Sequence, residues 1–329
     1  MKITDWAVVF LLIISPLLWI SQLQTEDLQE VNRLQIQYTT SLRTAAQDGG
    51  SALNLNELQI FESGYTSDKF MRTDKEAAIL AIQHSLALNF GVDDDPLAQK
   101  MLMVYIPAIV VIDYDGYSIY AVEESIATDG SIIAEQRFHP KKPYTYADEW
   151  GNSVAFTMDN YLIAYDALRN EWVNGLQEEL RSELSIPLLQ DSEKFQQVRR
   201  SVIVRSIEDD LAVVINRHNK YARDLGVTYT FTLPVISQEE WNNTLDDVGV
   251  LIFLQGIPVG DRYYNNYALG GGRLVRGHPI LAGTDNDTGI KYYFRDSCTA
   301  PYKTEEVFTN ERDAAAKGYF EAPCPRNTF

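Results

Sequence analysis

The sequence predicts an α+β protein with an N-terminal transmembrane helix and helical stalk, a mixed, mainly antiparallel sheet with long helices, and a small C-terminal module closed by a disulfide. Three observations carry that expectation. An uncharged run from Trp6 to Ile20 is followed by apolar residues at helical spacing. Two strand-like apolar runs flank a tight Asp-Tyr-Asp-Gly turn at 113–116. The only two cysteines, Cys298 and Cys324, both lie near the C-terminus.

The uncharged run extends to Leu23 when Ser21 and Gln22 are admitted. Eighteen residues at about 1.5 Å each reach about 27 Å, just under a hydrocarbon core of about 30 Å. A cleavable secretion signal needs small residues after its apolar core, whereas Leu18, Trp19, Ile20, Ser21, Gln22, Leu23 and Gln24 are mostly large. Trp6 and Trp19 bracket the run as an interfacial aromatic belt does. A retained anchor therefore leads over a cleaved signal and over a buried helix of a soluble protein. Lys2 precedes the run and Glu26, Asp27 and Glu30 follow it, which puts the N-terminus in the cytoplasm and the bulk outside a cell membrane crossed once. With so short an inner tail, a signal received outside needs another protein to carry it in.

After the anchor (1–23), residues 24–55 read as a stalk, with Leu28, Val31, Leu34, Tyr38, Leu42, Ala45 and Ala46 at helical steps and Gly49-Gly50 weakening its end. Residues 51–67 read as a loop or short hairpin. Residues 73–91 form an amphipathic helix with Thr73 or Asp74 as N-cap and Gly91 as stop, His84 being structural. Residues 101–124 read as strand, turn and strand, with further strands at 131–140 and 153–165. Asp191 to Leu225 is helical, with a seam through Val204, Ile207, Leu211, Val214, His218, Tyr221 and Leu225 on which His218 is a core residue. A strand at 226–236, a short helix running into an apolar stretch at 237–259, a Gly- and Tyr-rich region at 260–280 and a last strand at 290–298 complete the chain. The expected domains are an extracytoplasmic α+β domain at 56–289 and a small Cys-containing module at 290–329.

Charge narrows the function classes. Forty-six acidic against 28 basic residues give a net charge of −18. Nucleic acid is excluded as a partner because a phosphate backbone is bound by basic patches. General adhesion to anionic headgroups is disfavoured for the same reason. In an oxidising compartment the cysteine pair reads most simply as one disulfide closing a local loop, worth roughly 3 kcal/mol; two buried thiols or half of a metal site are the alternatives. Asn242 and Asn286 stand in N-x-T sequons.

Motifs for chemistry are few. Gly270, Gly271 and Gly272 lack the spacing and Lys-Ser/Thr ending of a phosphate loop and read as a turn, and the nearby Arg273 and Arg276 read as solvated or salt-bridged. Asp113 with Asp115, and Asp285 with Asp287, look like fragments of calcium loops without the full ligand series, so they too read as turns. His84, His139, His218 and His278 stand in no catalytic motif. No catalytic residue, cofactor or metal is expected.

The order of anchor, stalk and outer domain resembles the pseudopilin-like proteins of Tad-type pilus and secretion loci, over about the first 55 residues. "YTTSLRTAAQDGGSAL" is the counterpart of their Ala-rich helix, Asp5 matches the acidic residue near the start of pilin helices, and Pro16 matches the helix proline. The resemblance implies an assembly helix, with Asp5 and Pro16 in it and other membrane or pilus-like subunits as partners alongside the lipid bilayer. No glycine-based prepilin-peptidase site precedes the run, and an N-cap is the other reading of Asp5. The segment "YYFRDSCTAPYKTEEVFTNERDAAAKGYFEAPC" resembles the strand-helix-knuckle module of the Ada type. That family holds zinc with four cysteines; only Cys298 and Cys324 match, so a disulfide would fix the same loop. The strand pair "VVIDYDGYSIY" is similar to the hairpin of extracytoplasmic sensor domains of the Cache type. The leading expectation is a non-catalytic structural or assembly component of a pilus- or secretion-like envelope machine. A ligand-binding sensor acting through a partner predicts a concave pocket beside the hairpin, and an anchored or secreted hydrolase predicts a cleft with paired, perturbed carboxylates.

Overall fold

The computed structural model describes residues 3–53, 73–126, 132–245, 247–272, 280–285, 288–295, 303–308 and 311–322. Helix α1 (Ile3–Ala52) runs unbroken through the anchor and stalk segments. Among the described residues no helix is long and apolar enough to cross a membrane. The run on which the expected span rests is helical in α1, but most of its side chains, those of Asp5 and Pro16 included, lie outside what is described.

The C-terminal part of α1 is not a free stalk. Leu42, Ala45, Ala46 and Leu53 are fully buried, and the helix does not end at Gly49-Gly50. Glycine costs about 1 kcal/mol against alanine inside a helix, and here it is kept for close packing: a Cβ on Gly49 would meet the Ile82 side chain at 2.5 Å, and one on Gly50 the Gly271 backbone at 2.9 Å.

Helix α2 (Lys75–Phe90) is capped by Asp74, whose Oδ1 accepts from the Ala77 N–H at 2.9 Å, and stopped by Gly91 at φ 66°. Helix α3 (Pro96–Val104) occupies the start of the stretch expected as a strand, because Asp95 caps it and Pro96 fits its first turn. Strands β1 (Ile109–Asp113), β2 (Gly116–Ile126) and β3 (Ile132–Phe138) follow as antiparallel neighbours. Strands β4 (Tyr144–Ala147), β5 (Ser153–Phe156), β6 (Tyr161–Asp166) and β7 (Glu171–Leu176) form a separate antiparallel meander.

After α4 (Gln177–Glu183), helix α5 (Ser192–Asp224) matches the expected span to within a residue at each end. Residues 226–236 are not a strand. Their backbone is clasped by side-chain amides instead: Asn219 bonds the N–H and C=O of Phe231, and Gln255 does the same for Thr232. Helix α6 (Gln238–Thr244) leads into β8 (Gly249–Val259) and β9 (Arg262–Gly271), so the Gly- and Tyr-rich region is mostly strand.

The main sheet has the order β3-β2-β1-β8-β9. Its two central strands are buried on both faces, which explains their unbroken apolar sequence. Ile109, Val111, Val250, Ile252 and Leu254 pack in one core with α1 and α2. Val110, Ile112, Leu251 and Phe253 pack in another with Ile203, Ile207 and Leu211 of α5 and residues of the meander.

Residues 1–274 form one compact unit and 275–329 a second. That unit contains β10 (Ile280–Thr284), β11 (Lys291–Arg295), β12 (Glu306–Phe308), α7 (Glu311–Ala316) and β13 (Phe320–Glu321), with sheet order β12-β10-β11-β13. Thus the strand expected to be last is followed by two more. Ile280, Ala282, Phe308, Ala314 and Tyr319 make its core. Cys298 and Cys324, and with them the expected disulfide, lie outside the described residues.

Candidate functional site

Charged and hydroxyl groups gather around the β1–β2 turn. The chain returns past this turn through the segment 139–144, "HPKKPY", and Tyr117 and Lys142 exchange backbone hydrogen bonds at 2.9 Å in both directions. Gly116 is fixed by that crossing, since a Cβ there would lie 2.4 Å from the Lys142 carbonyl oxygen. The two lysines of the segment go to different carboxylates.

Lys141 takes the place a cation would have between Asp113 and Asp115. Its Nζ donates to Asp113 Oδ2 at 2.7 Å and contacts Asp115 Oδ1. The turn thus carries its own counter-ion, which accounts for the calcium-like spacing without a metal. Burial pushes the Asp113 carboxyl above its ordinary value, with Lys141 opposing. Burial works against the Lys141 charge, but the two aspartates outweigh it and hold the ammonium above its ordinary value. Beneath them Tyr144, fully buried, donates to the Gly116 carbonyl at 2.7 Å. Burial holds its phenol well above the ordinary value.

Lys142 reaches across to α5, where its Nζ meets Asp210 at 2.7 Å. Tyr117 donates to the same carboxylate at 2.6 Å. Burial first, and then this bond, raise the Tyr117 phenol far above its ordinary value, so it stays protonated. A small hollow of about 100 Å³ opens here, lined by Tyr117, His139, Lys142, Asp210, Val214 and Arg217 among others. Burial lowers the His139 pKa, Glu123 opposes this, and Arg217, Arg137 and Lys142 add to it. The imidazole is therefore neutral near pH 7.

A larger cavity of about 610 Å³ lies further along β2, between α2, α3 and β3, with Gln83, Leu102, Met103, Tyr120, Gln136 and Tyr221 in its wall. Its size is that of a small-molecule site. Gln136 Nε2 donates to the Met103 carbonyl at 3.1 Å and ties β3 to α3.

Of the residues singled out in the sequence, the structure brings Asp113 and Asp115 together and seats His218 in the core, where its ring nitrogen Nε2 lies 2.8 Å from the Val104 carbonyl. His84 is exposed on α2. Asp285 forms a turn, its carbonyl accepting from Gly289 N–H at 2.8 Å; Asp287, Arg273, Arg276 and His278 lie outside the described residues. Among the described residues no three His, Cys, Asp or Glu side chains are grouped to hold a metal ion. Lys141, Lys142, Tyr117, Tyr144 and Asp210 were not legible as a set. The available signal was the pair of lysines between prolines in so acidic a chain. No known protein family, curated protein or solved structure matches this chain.

Proposed function

We propose that this chain is a single-pass membrane protein, anchored by the first part of α1, whose acidic extracytoplasmic portion is a non-catalytic structural or assembly component of a pilus- or secretion-like envelope machine. The observation that carries this reading is the seam between α1 and the sheet. Ala46, Gly49 and Gly50 are packed so closely on Ile82, Gly270 and Gly271 that the helix and the domain behave as one body. A helix joined in that way transmits position and load, and it offers its N-terminal part for lateral packing with partner helices. The charged groups at the β1–β2 turn fit the same reading, since Lys141 and Lys142 are engaged by Asp113, Asp115 and Asp210. Co-purification from gently solubilised membranes tests it: stoichiometric envelope subunits are expected, and a monomer carrying a bound small molecule would overturn it.

The cavity of about 610 Å³ favours a second reading, an extracytoplasmic ligand-binding domain that acts through a partner. Its site would be the far part of β2 and not the turn at 113–116. Native mass spectrometry of the same preparation separates the two readings.

A further inference from the structure

A cavity of about 470 Å³ opens at one end of the meander, walled by three segments of chain that hold one another in place. In the β4–β5 turn, Asp148 Oδ1 accepts from the Trp150 and Asn152 N–H groups at 3.0 and 2.9 Å, and its Oδ2 from Asn152 Nδ2 at 2.8 Å. Asn152 Oδ1 accepts in turn from the Ala167 N–H at 3.0 Å, which ties this turn to the β6–β7 turn. Arg169 of the second turn donates to the Glu183 carbonyl at the end of α4, and the link beyond it closes the wall with Ser185 and Pro187.

Two groups of the wall stand in states that stability alone does not favour. Trp150 is 62 % exposed, although an indole gains by burial. Asp166 is 3 % exposed, and its Oδ1 accepts from the Leu168 and Arg169 N–H groups at 2.9 and 3.2 Å. Its Oδ2 accepts no hydrogen bond among the described residues, Arg169 Nε standing off at 3.9 Å. Unlike the unpartnered atoms of His139 and His218, that oxygen is not closed to solvent. A carboxylate oxygen so placed is completed by water or by a ligand.

We propose that this cavity binds a neutral pyranose sugar, with a C–H face of the ring against the Trp150 indole and a hydroxyl donating to Asp166 Oδ2. The wall has the division of such a ligand: Trp150, Leu168 and Pro187 are apolar, and Asn152, Asp166 and Ser185 are polar. A pyranose likewise has apolar faces and a rim of hydroxyls. Charge removes the alternatives. Asp166 is the one charged side chain in the wall among the described residues, so an anion is repelled, and Arg169 at 3.9 Å already offsets it, so a cation gains little. A hydroxyl completes the carboxylate through a charge-assisted hydrogen bond and adds no charge. Size agrees, since small-molecule sites span about 300–1,000 Å³. At about 30 Å³ per water-sized group, the cavity admits the roughly 12 heavy atoms of a hexose. The sugar can be free or one unit of a glycan chain. The inference goes beyond the assembly reading and stands apart from it, because it needs no partner subunit and uses neither the anchor helix nor the cavity along β2.

The test is a titration of the full chain, in micelles of a detergent without a sugar headgroup, with a panel of methyl glycosides and oligosaccharides of neutral hexoses and N-acetylhexosamines. Tryptophan fluorescence and calorimetry are the readouts. Saturable binding of at least one member is expected, with a blue shift as the indole is covered. Trp150→Ala is expected to abolish the shift and to weaken that sugar about tenfold or more, with an unchanged melting curve, and Trp150→Phe to restore part of the affinity. Trp172→Ala removes an exposed ring that packs on Tyr165 outside the wall, and is expected to leave binding unchanged. Asp166→Asn keeps an oxygen for the Leu168 and Arg169 N–H groups but puts a donor in place of Oδ2, so it is expected to weaken binding by a similar factor; if it does not fold, the two Trp150 variants decide. A methyl glycoside bound as tightly as its oligosaccharides assigns a free sugar, and a gain with chain length assigns a glycan. No binding across the panel, equal binding in Trp150→Ala, or tetramethylammonium bound in preference to every sugar overturns the site.

Discussion

Gly270 and Ala46 meet backbone to backbone: a Cβ on Gly270 would lie 1.8 Å from the Ala46 carbonyl oxygen. Neither side of that contact has a flexible group to move. Gly270→Ala is therefore expected to destabilise the first unit by about 3 kcal/mol or more, as overpacking of a rigid interior does. Gly271→Ala is the control, because a Cβ there meets nothing within 4 Å, and its effect should stay within about 0.5 kcal/mol. Urea unfolding of the two variants checks the contrast; equal losses would mean that the seam is not tight.

Truncation separates the two parts of α1. A chain starting at Thr25 keeps Leu42, Ala45 and Ala46 and is expected to retain a cooperative thermal transition. A chain starting at Gln47 loses those core side chains and, with them, Val31, Leu34 and Tyr38, which pack on the same core. At about 2–5 kcal/mol for each large aliphatic residue removed, much of a typical domain stability of about 5–15 kcal/mol disappears. Circular dichroism melts should show no cooperative transition for the shorter chain.

His218 gives a pH dependence with a definite sign. Burial lowers its pKa from 6.5 to about 4, the hydrogen bond to Val104 opposing only partly. The unfolded chain then binds a proton that the folded chain refuses, so stability falls as the pH drops from about 6.5 towards 4. The loss is about 3 kcal/mol at most for this one group. His218→Gln lowers stability at pH 7 but is expected to remove this slice of pH dependence. The measurement is the difference in unfolding free energy between pH 7 and pH 5 for each protein, and identical differences would refute the assignment.

Lys141→Met leaves the buried Asp113 without its counter-ion. Because Lys141 is 37 % exposed, solvent screening limits the loss at neutral pH to about 1–2 kcal/mol. Asp113 already has a raised pKa, so the fold holds its proton better than the unfolded chain and loses that advantage as pH rises through the raised value. Removing the lysine raises the pKa further, and the variant's deficit should therefore shrink at low pH. Asp113→Asn in the same background is expected to restore part of the loss at pH 7.

Much of the scaffold was legible because local chemistry and tertiary context agree there. Asp74 and Gly91 bound α2 as capping rules require, and the heptad-like seam of α5 is buried at Ile207, Leu211, Val214 and His218. The failures share one physical cause. Residues 226–236 have the composition of a strand, yet Asn219 and Gln255 satisfy their backbone from far along the chain. Gly49, Gly50 and Gly270 look like breakers until the Ile82 side chain and the opposing backbone are in place. The turn at Asp113 to Gly116 was legible as a turn, whereas its lysine partner comes from a segment that carries no motif. Spacing along a chain reports local geometry, and these groups meet only through the sheet.

Helix α1 continues into the core with no joint, and the β8–β9 turn touches it at Val31, where a Cβ on Gly260 would lie 2.7 Å from the valine side chain. In the anchored reading the domain therefore has no swivel: its azimuth is locked to the phase of the helix. Each residue inserted between Leu23 and Val31 would turn the whole first unit by about 100° and lift it by about 1.5 Å, like a nut on a screw. Which face is turned towards a neighbour in the bilayer is thus written in the length of a single helix.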